Sequence, residues 1–223
     1  GTYSQDDAGS AVTTTNGAFS IIAADVALTG TINVLTGTVL IAPSTAVSIG
    51  LGGAAGTFTL TDATADQITA STLEIGNSTS GAIAIDDFSP ANFTTLVLRT
   101  DEGVSQGTVD AGIDVTIANL AIDSDTGVDI DADVTTLAIT NADAASTIQV
   151  DSTSAVLTVG SITTSTGAIQ GITTAGSVTV AGATVLTVEN VISADGAVVL
   201  SAVDGVTLSG TNGDVTTNGG TFT

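Results

Sequence analysis

The stretch Val128–Asp129–Ile130–Asp131–Ala132–Asp133–Val134 alternates aliphatic and acidic residues without a break. On a strand, successive side chains point to opposite faces. Asp129, Asp131 and Asp133 therefore share one face, and the aliphatic residues share the other. A row of like charges repels itself unless a cation sits between the carboxylates. Calcium accepts several hard oxygen ligands in flexible geometry. It is the candidate cofactor here, with Asp129, Asp131 and Asp133 as candidate metal ligands. The pattern lacks the terminal Glu of an EF-hand loop, and it is not the glycine-rich nonapeptide of calcium-binding β-rolls. The competing reading is a solvated acidic face. Asp86 and Asp87 form a weaker acidic pair in a loop-like segment.

Other chemistry is excluded by composition. The chain has no Cys and no His, and Arg99 is its single basic residue. Thiol nucleophiles and imidazole metal sites are therefore absent. Polysaccharide lyases need a base to abstract a proton, and an arginine essentially never deprotonates. A glycosidase built on two carboxylates remains formally open, but sugar clefts usually recruit aromatics, and this chain offers one Tyr and five Phe. We expect no catalytic residues and no enzyme. With 23 acidic residues and a formal charge of −22, nucleic acid and anionic membrane surfaces are excluded as partners. No apolar run approaches the roughly 18 residues of a spanning helix, so membrane insertion is not expected.

The elements that must position the acidic row are short. Ile68–Ile85 holds two alternating runs, Leu73–Glu74–Ile75 and Ile83–Ala84–Ile85, around a turn of Gly, Asn, Ser and Thr. This is the pattern of half-buried strands joined by a turn. The rest of the chain varies the same unit. Hydrophobic residues make up 43% and aromatics 3%, so Val, Ile, Leu and Ala must build a narrow core. The pairs Leu137/Ile139, Leu157/Val159, Val178/Val180 and Val198/Leu200 recur about every 20 residues, the signature of a β-solenoid. About 11 coils would give a rod of roughly 50 Å at the spacing of paired strands. An antiparallel β-sandwich is the alternative.

Residues 1–10 read as a polar extension or joint, and residues 11–223 as a single solenoid domain with a loop bulging near 86–92. The many Thr residues show no coil-to-coil register along the sequence, which argues against an ice-binding array. Val12–Ser20 resembles Val215–Thr223, as expected of a chain that continues as another copy of itself, covalently or stacked head to tail. The chain does not begin with Met and is expected to be a processed product or a segment of something longer.

Val26–Gly53, Phe58–Ile85 and Val128–Thr164 resemble the repeats of filamentous-haemagglutinin-like bacterial surface adhesins, large secreted proteins. Leu73–Ile85 (LEIGNSTSGAIAI) is the most specific part. The resemblance covers most of residues 15–215. It implies a right-handed parallel β-helix in an extracellular or cell-surface chain with adhesive or filament-forming roles, and no catalytic residues. The N-terminal secretion domain of full-length members is missing from this sequence. The expected function is a structural or adhesive segment of an extracellular filament or giant surface adhesin. Its expected partners are copies of itself or adjacent repeats end to end, and cell-surface carbohydrate or matrix. The alternative is a carbohydrate-binding or carbohydrate-cleaving β-helix module.

Overall fold

A computed structural model describes residues 1–108, 112–143 and 145–223. The protein is all-β, and its main feature is a 19-stranded sheet that curls into a half-barrel. Every pairing described within that sheet is parallel. Parallel neighbours need a crossover between them. Here short turns and further strands supply it: the chain returns to each face in turn, one rung higher.

The register explains why the same residue types recur. One inward ladder runs Ile21, Ile41, Ile75, Leu98, Ile122, Ile139, Ile172, Ile192, Val215. A second runs Phe19, Val39, Leu73, Leu96, Leu120, Leu137, Val159, Val188, Leu208. Each has nine members, so this face has nine rungs and spans about 40 Å at the spacing of paired strands. A third ladder on another face joins Ile49, Ile83, Val104, Val128, Ile148, Val178 and Val198. Between the terminal rungs these aliphatic side chains are almost wholly buried. Burying each one stabilises the fold by about 1.5–3 kcal/mol.

The intervals along the chain are uneven because loops are inserted between rungs. The largest lies between Val39 and Leu73. It holds the strands Ile49–Gly52 and Phe58–Leu60, and a four-residue helix at Asp62–Ala65 capped by the Thr61 hydroxyl.

The two segments set apart in the sequence, residues 1–10 and 86–92, both have defined contacts. Within residues 1–10, Thr2–Gln5 is a strand paired in parallel with Asp25–Leu28. Its Tyr3 packs on the core, with its ring against Phe19, so this segment belongs to the stack. The 86–92 segment is anchored along its length. Phe88 is fully buried and bridges to Val115. The Asp62 carboxylate accepts the Ser89 N–H at 3.1 Å, and the Asp66 carboxylate accepts the Ala91 N–H at 2.9 Å. Burial of an aromatic ring and capture of two backbone donors tie the segment to its neighbours.

The terminal likeness also has a local cause. Val12 lies beside Ile32, whereas Val215 continues the Ile192 ladder on another face. The two stretches share a strand–turn–strand corner, not an equivalent rung.

Candidate functional site

Asp129, Asp131 and Asp133 lie on the strand Val128–Asn141, with Val128, Ile130, Ala132 and Val134 buried behind them. The alternation read from the sequence is the alternation observed. The backbone positions of the three aspartates are strung along the strand, about 6.6 Å from one to the next. Asp133 accepts the Ser154 hydroxyl at 2.9 Å, and Asp131 sits in register with Asp151 on the next rung. Among the described residues, no three acidic side chains come together closely enough to hold an ion.

A second acidic group lines a turn. The Asp143 N–H bonds to the Asp125 carbonyl, and the Asp125 N–H bonds to the Glu102 carbonyl. Rung-by-rung stacking thus piles carboxylates on one corner. The Asp125 carboxyl is raised above its ordinary value, by partial loss of hydration and then by Asp101, which repels it and hydrogen-bonds to it; Asp123 and Asp143 add repulsion. Like charges held this close disfavour full ionisation.

The chain's least expected feature is a hairpin. Ser161–Thr164 and Gly167–Gln170 form the one antiparallel pair among the described strands. The hairpin leaves the wall between Gly160 and Gly171, where the Gly171 N–H bonds to the Gly160 carbonyl at 2.7 Å. Gly171 has φ +65°, and a Cβ there would lie 1.9 Å from the Val191 carbonyl oxygen. The neighbouring strand runs on uninterrupted, with Leu137 opposite Val159 and Ile139 opposite Ile172. The hairpin is therefore an extrusion from a single rung.

It folds back across the outer face of the sheet. Ile162 and Ile169 cover Val97, Ala121 and Ala138 in a second, separate apolar cluster. The tip reaches Glu74, which is 1% exposed. The Glu74 carboxylate accepts both the N–H and the hydroxyl of Ser165. Beside it, the Arg99 guanidinium donates to the Thr164 hydroxyl at 2.6 Å and lies 3.6 Å from Asp123. The Arg99 Nε is buried with no protein partner among the described residues. A cavity of about 150 Å³ adjoins the tip, lined by Glu74, Arg99, Ser165 and Thr166 among others.

The threonines also differ from expectation: they are in register. Thr38, Thr72, Thr95, Asn119, Thr136, Thr158, Thr187 and Thr207 form one outward ladder. Uneven loop lengths between rungs hide this register in the sequence. The ladder and the near side of the hairpin enclose a groove of about 290 Å³, lined by Ser71, Thr72, Thr95, Asn119, Thr136, Ser161, Ile162 and Thr163.

Sequence reasoning missed the groove, the hairpin and the buried Glu74. The usable signal was Gly160–Ser–Ile–Thr and Ala–Ile–Gln–Gly171, two alternating triplets bounded by glycines at equal distance from a Ser-Thr centre. Comparison with protein-family models, with curated proteins and with solved structures finds no match to this chain.

Proposed function

We propose that this chain is a structural, adhesive segment of an extracellular bacterial filament or giant surface adhesin, built as a right-handed parallel β-helix. The observation that carries the reading is the unbroken parallel register of nine-member ladders, with unpaired strand edges at both extremities. Among the described residues, Phe19–Ala23 pairs on one side only, with Thr38–Pro43, and Gly205–Leu208 pairs on one side only, with Val185–Val188. Such edges are templates for another strand.

In this reading the mechanism is mechanical. Stacked aliphatic ladders make a stiff rod whose rungs contact only their neighbours. The acidic coat keeps rods apart and soluble. Adjacent repeats, or a second copy, continue the stack at each end. Nothing in the geometry requires a reaction.

Negative-stain electron microscopy with light scattering on the 223-residue chain tests the assembly. We expect rods of one width whose lengths are multiples of about 40 Å, the height of nine rungs. A monomer that never lengthens at any concentration would count against it. Antibody labelling of intact producing cells tests the placement. Surface label is expected, and label seen only after permeabilisation would overturn the extracellular reading.

A further inference from the structure

We propose that the groove between the hydroxyl ladder and the Ser161–Gln170 hairpin binds an uncharged saccharide chain. The proposal stands apart from the rod reading and does not depend on end-to-end assembly.

The groove is concave and two-walled. Thr72, Thr95, Asn119 and Thr136 form its floor on four successive rungs, and Ser161 and Thr163 stand on the hairpin wall. At about 290 Å³ it sits at the lower end of small-ligand sites, which suits one or two ring units.

Its chemistry selects the ligand class. No charged residue lines it, on a chain whose net charge is −22. Anions meet the repulsive field of the whole molecule and find no cation in the lining. Metal ions find no carboxylate there. An apolar ligand would strip water from a floor of hydroxyls without replacing their hydrogen bonds. Each Ser and Thr hydroxyl both donates and accepts, and the Asn amide does both from separate atoms. The matching partner also carries many groups that donate and accept, and carries no charge. That describes a neutral saccharide.

The donors and acceptors are available. Among the described residues, the hydroxyls of Thr72, Thr136, Ser161 and Thr163 take part in no protein hydrogen bond. The Asn119 Nδ2 is fixed by the Thr94 carbonyl at 3.3 Å and the Thr95 hydroxyl at 3.2 Å. Those bonds hold the amide in place and leave its Oδ1 open. The floor repeats every rung, about 4.8 Å, so successive units of a polymer would meet successive hydroxyls. An ordered water or ice lattice is the other ligand that a hydroxyl ladder brings to mind. It needs a flat face, and the hairpin stands above this one. With no aromatic platform, the affinity is weak, with Kd on the order of 1 mM.

The test is an NMR titration of the isotope-labelled 223-residue chain with cellotetraose, maltotetraose and chitotetraose, with tetragalacturonate as the charged control. At least one neutral tetrasaccharide should shift the amides of Thr72, Thr95, Asn119, Thr136 and Ser161 saturably. Thr95→Val and Asn119→Leu should each weaken that binding about tenfold while melting stays within a few degrees of the parent. Thr136→Val serves as the second variant should Asn119→Leu melt early. The proposal fails if no neutral tetrasaccharide shifts these amides, if tetragalacturonate binds equally well, or if the variants bind like the parent. Thermal hysteresis with no saccharide binding would assign the ladder to a water lattice and overturn it.

Discussion

Glu74 and Ser165 lie 91 residues apart in sequence, yet the Glu74 carboxylate takes both the N–H and the hydroxyl of Ser165. A nearly fully buried carboxylate is tolerated only when hydrogen-bonded, and the hairpin tip supplies those bonds. The hairpin in turn rests on Val97, Ala121 and Ala138 through Ile162 and Ile169. Replacing Glu74 with Gln leaves at best two neutral bonds, Oε1 accepting the Ser165 N–H and Nε2 donating to the Ser165 hydroxyl oxygen, in place of two charge-assisted ones, a loss of about 1–2 kcal/mol. Hydrogen exchange measures this directly. In Glu74→Gln, amides of Ser161–Gln170 should exchange about tenfold faster, by the same energy, while the Ile122 and Ile139 amides keep their protection. Equal acceleration across the sheet would mean that the contact is global and does not act as a clasp.

Arg99 is the single residue that trypsin recognises, and the fold hides it. Its side chain is 12% exposed, and its strand, Thr95–Arg99, is paired with Thr72–Gly76 on one side and Val115–Ser124 on the other. The folded chain should resist trypsin for as long as it stays folded. Once unfolded it should give two fragments, cut after Arg99. Trypsin pulses across a urea series should therefore report the unfolded fraction as one clean cleavage. Cleavage in native buffer at the rate of a free peptide would show that this wall opens locally.

The proton balance makes mild acid stabilising. Asp125 and Asp62 are both raised above their ordinary value of 3.8. For Asp62, burial is the leading cause, partly offset by the Ser89 N–H, with Asp66 and Asp87 adding repulsion. A carboxyl whose folded pKa exceeds its unfolded value binds more protons in the native state. Stability therefore falls as pH rises through the interval from the ordinary value up to the raised one. We expect a higher melting temperature at the lower end of this interval than at pH 7.5, and a smaller difference in Asp125→Asn. A melting temperature that climbs with pH through this interval would contradict the assignment.

The fold was legible in the sequence where alternation was strict, and the site was not. Val128–Val134 could be assigned to its two faces because a period of two permits a single partition once the aliphatics are inside. The repetition of Ile and Leu pairs likewise announced stacking. Register between rungs was hidden, because loops of different length separate members of one ladder. Thr38 and Thr72 are neighbours in space across a long insertion, whereas Asn119 and Thr136 are neighbours across a short one. Residues 161–164 and 167–170 alternate just as the rung strands do, so only the glycines that bound them, Gly160 and Gly171, set them apart from the wall. Glu74 looked like any outward strand residue. Only the fold-back from a rung four steps away buries it.

The ladders predict where substitutions are costly. Ile139 is fully buried, with Ile122 on one side and Ile172 on the other. Ile139→Ala should cost about 2–5 kcal/mol, because rungs above and below cannot collapse into the void. Val215 closes the same ladder on the last rung and has one neighbour, Ile192. Val215 is only half-buried, so Val215→Ala should cost about 1 kcal/mol, well below the Ile139 loss. Urea denaturation of both variants checks the contrast. Equal losses would mean that the last rung is as tightly packed as the middle.

The last rung also carries the prediction that bears most on assembly. Leu208 is 49% exposed and Phe222 is 52% exposed, and each is the end of an otherwise buried ladder. Among the described residues, the strand Gly205–Leu208 has one unpaired row of backbone groups at the Leu208 end of the stack. A second strand laid there would cover the apolar ends and satisfy the backbone together, which is how β-augmentation gains affinity. At the opposite end Phe19 begins the ladder that Leu208 closes, and Ile21 begins the one that Val215 closes; Tyr3 packs on Phe19, and Ile21 is buried. Lysine on an edge strand blocks such pairing, because a charge would have to be buried. Leu208→Lys should therefore keep the chain monomeric in light scattering at concentrations where the parent elongates. A lysine at exposed Val156, away from the last rung, is the control and should leave elongation unchanged. If Val156→Lys blocks association as strongly as Leu208→Lys, the contact is lateral, and the stack is not continued through its ends.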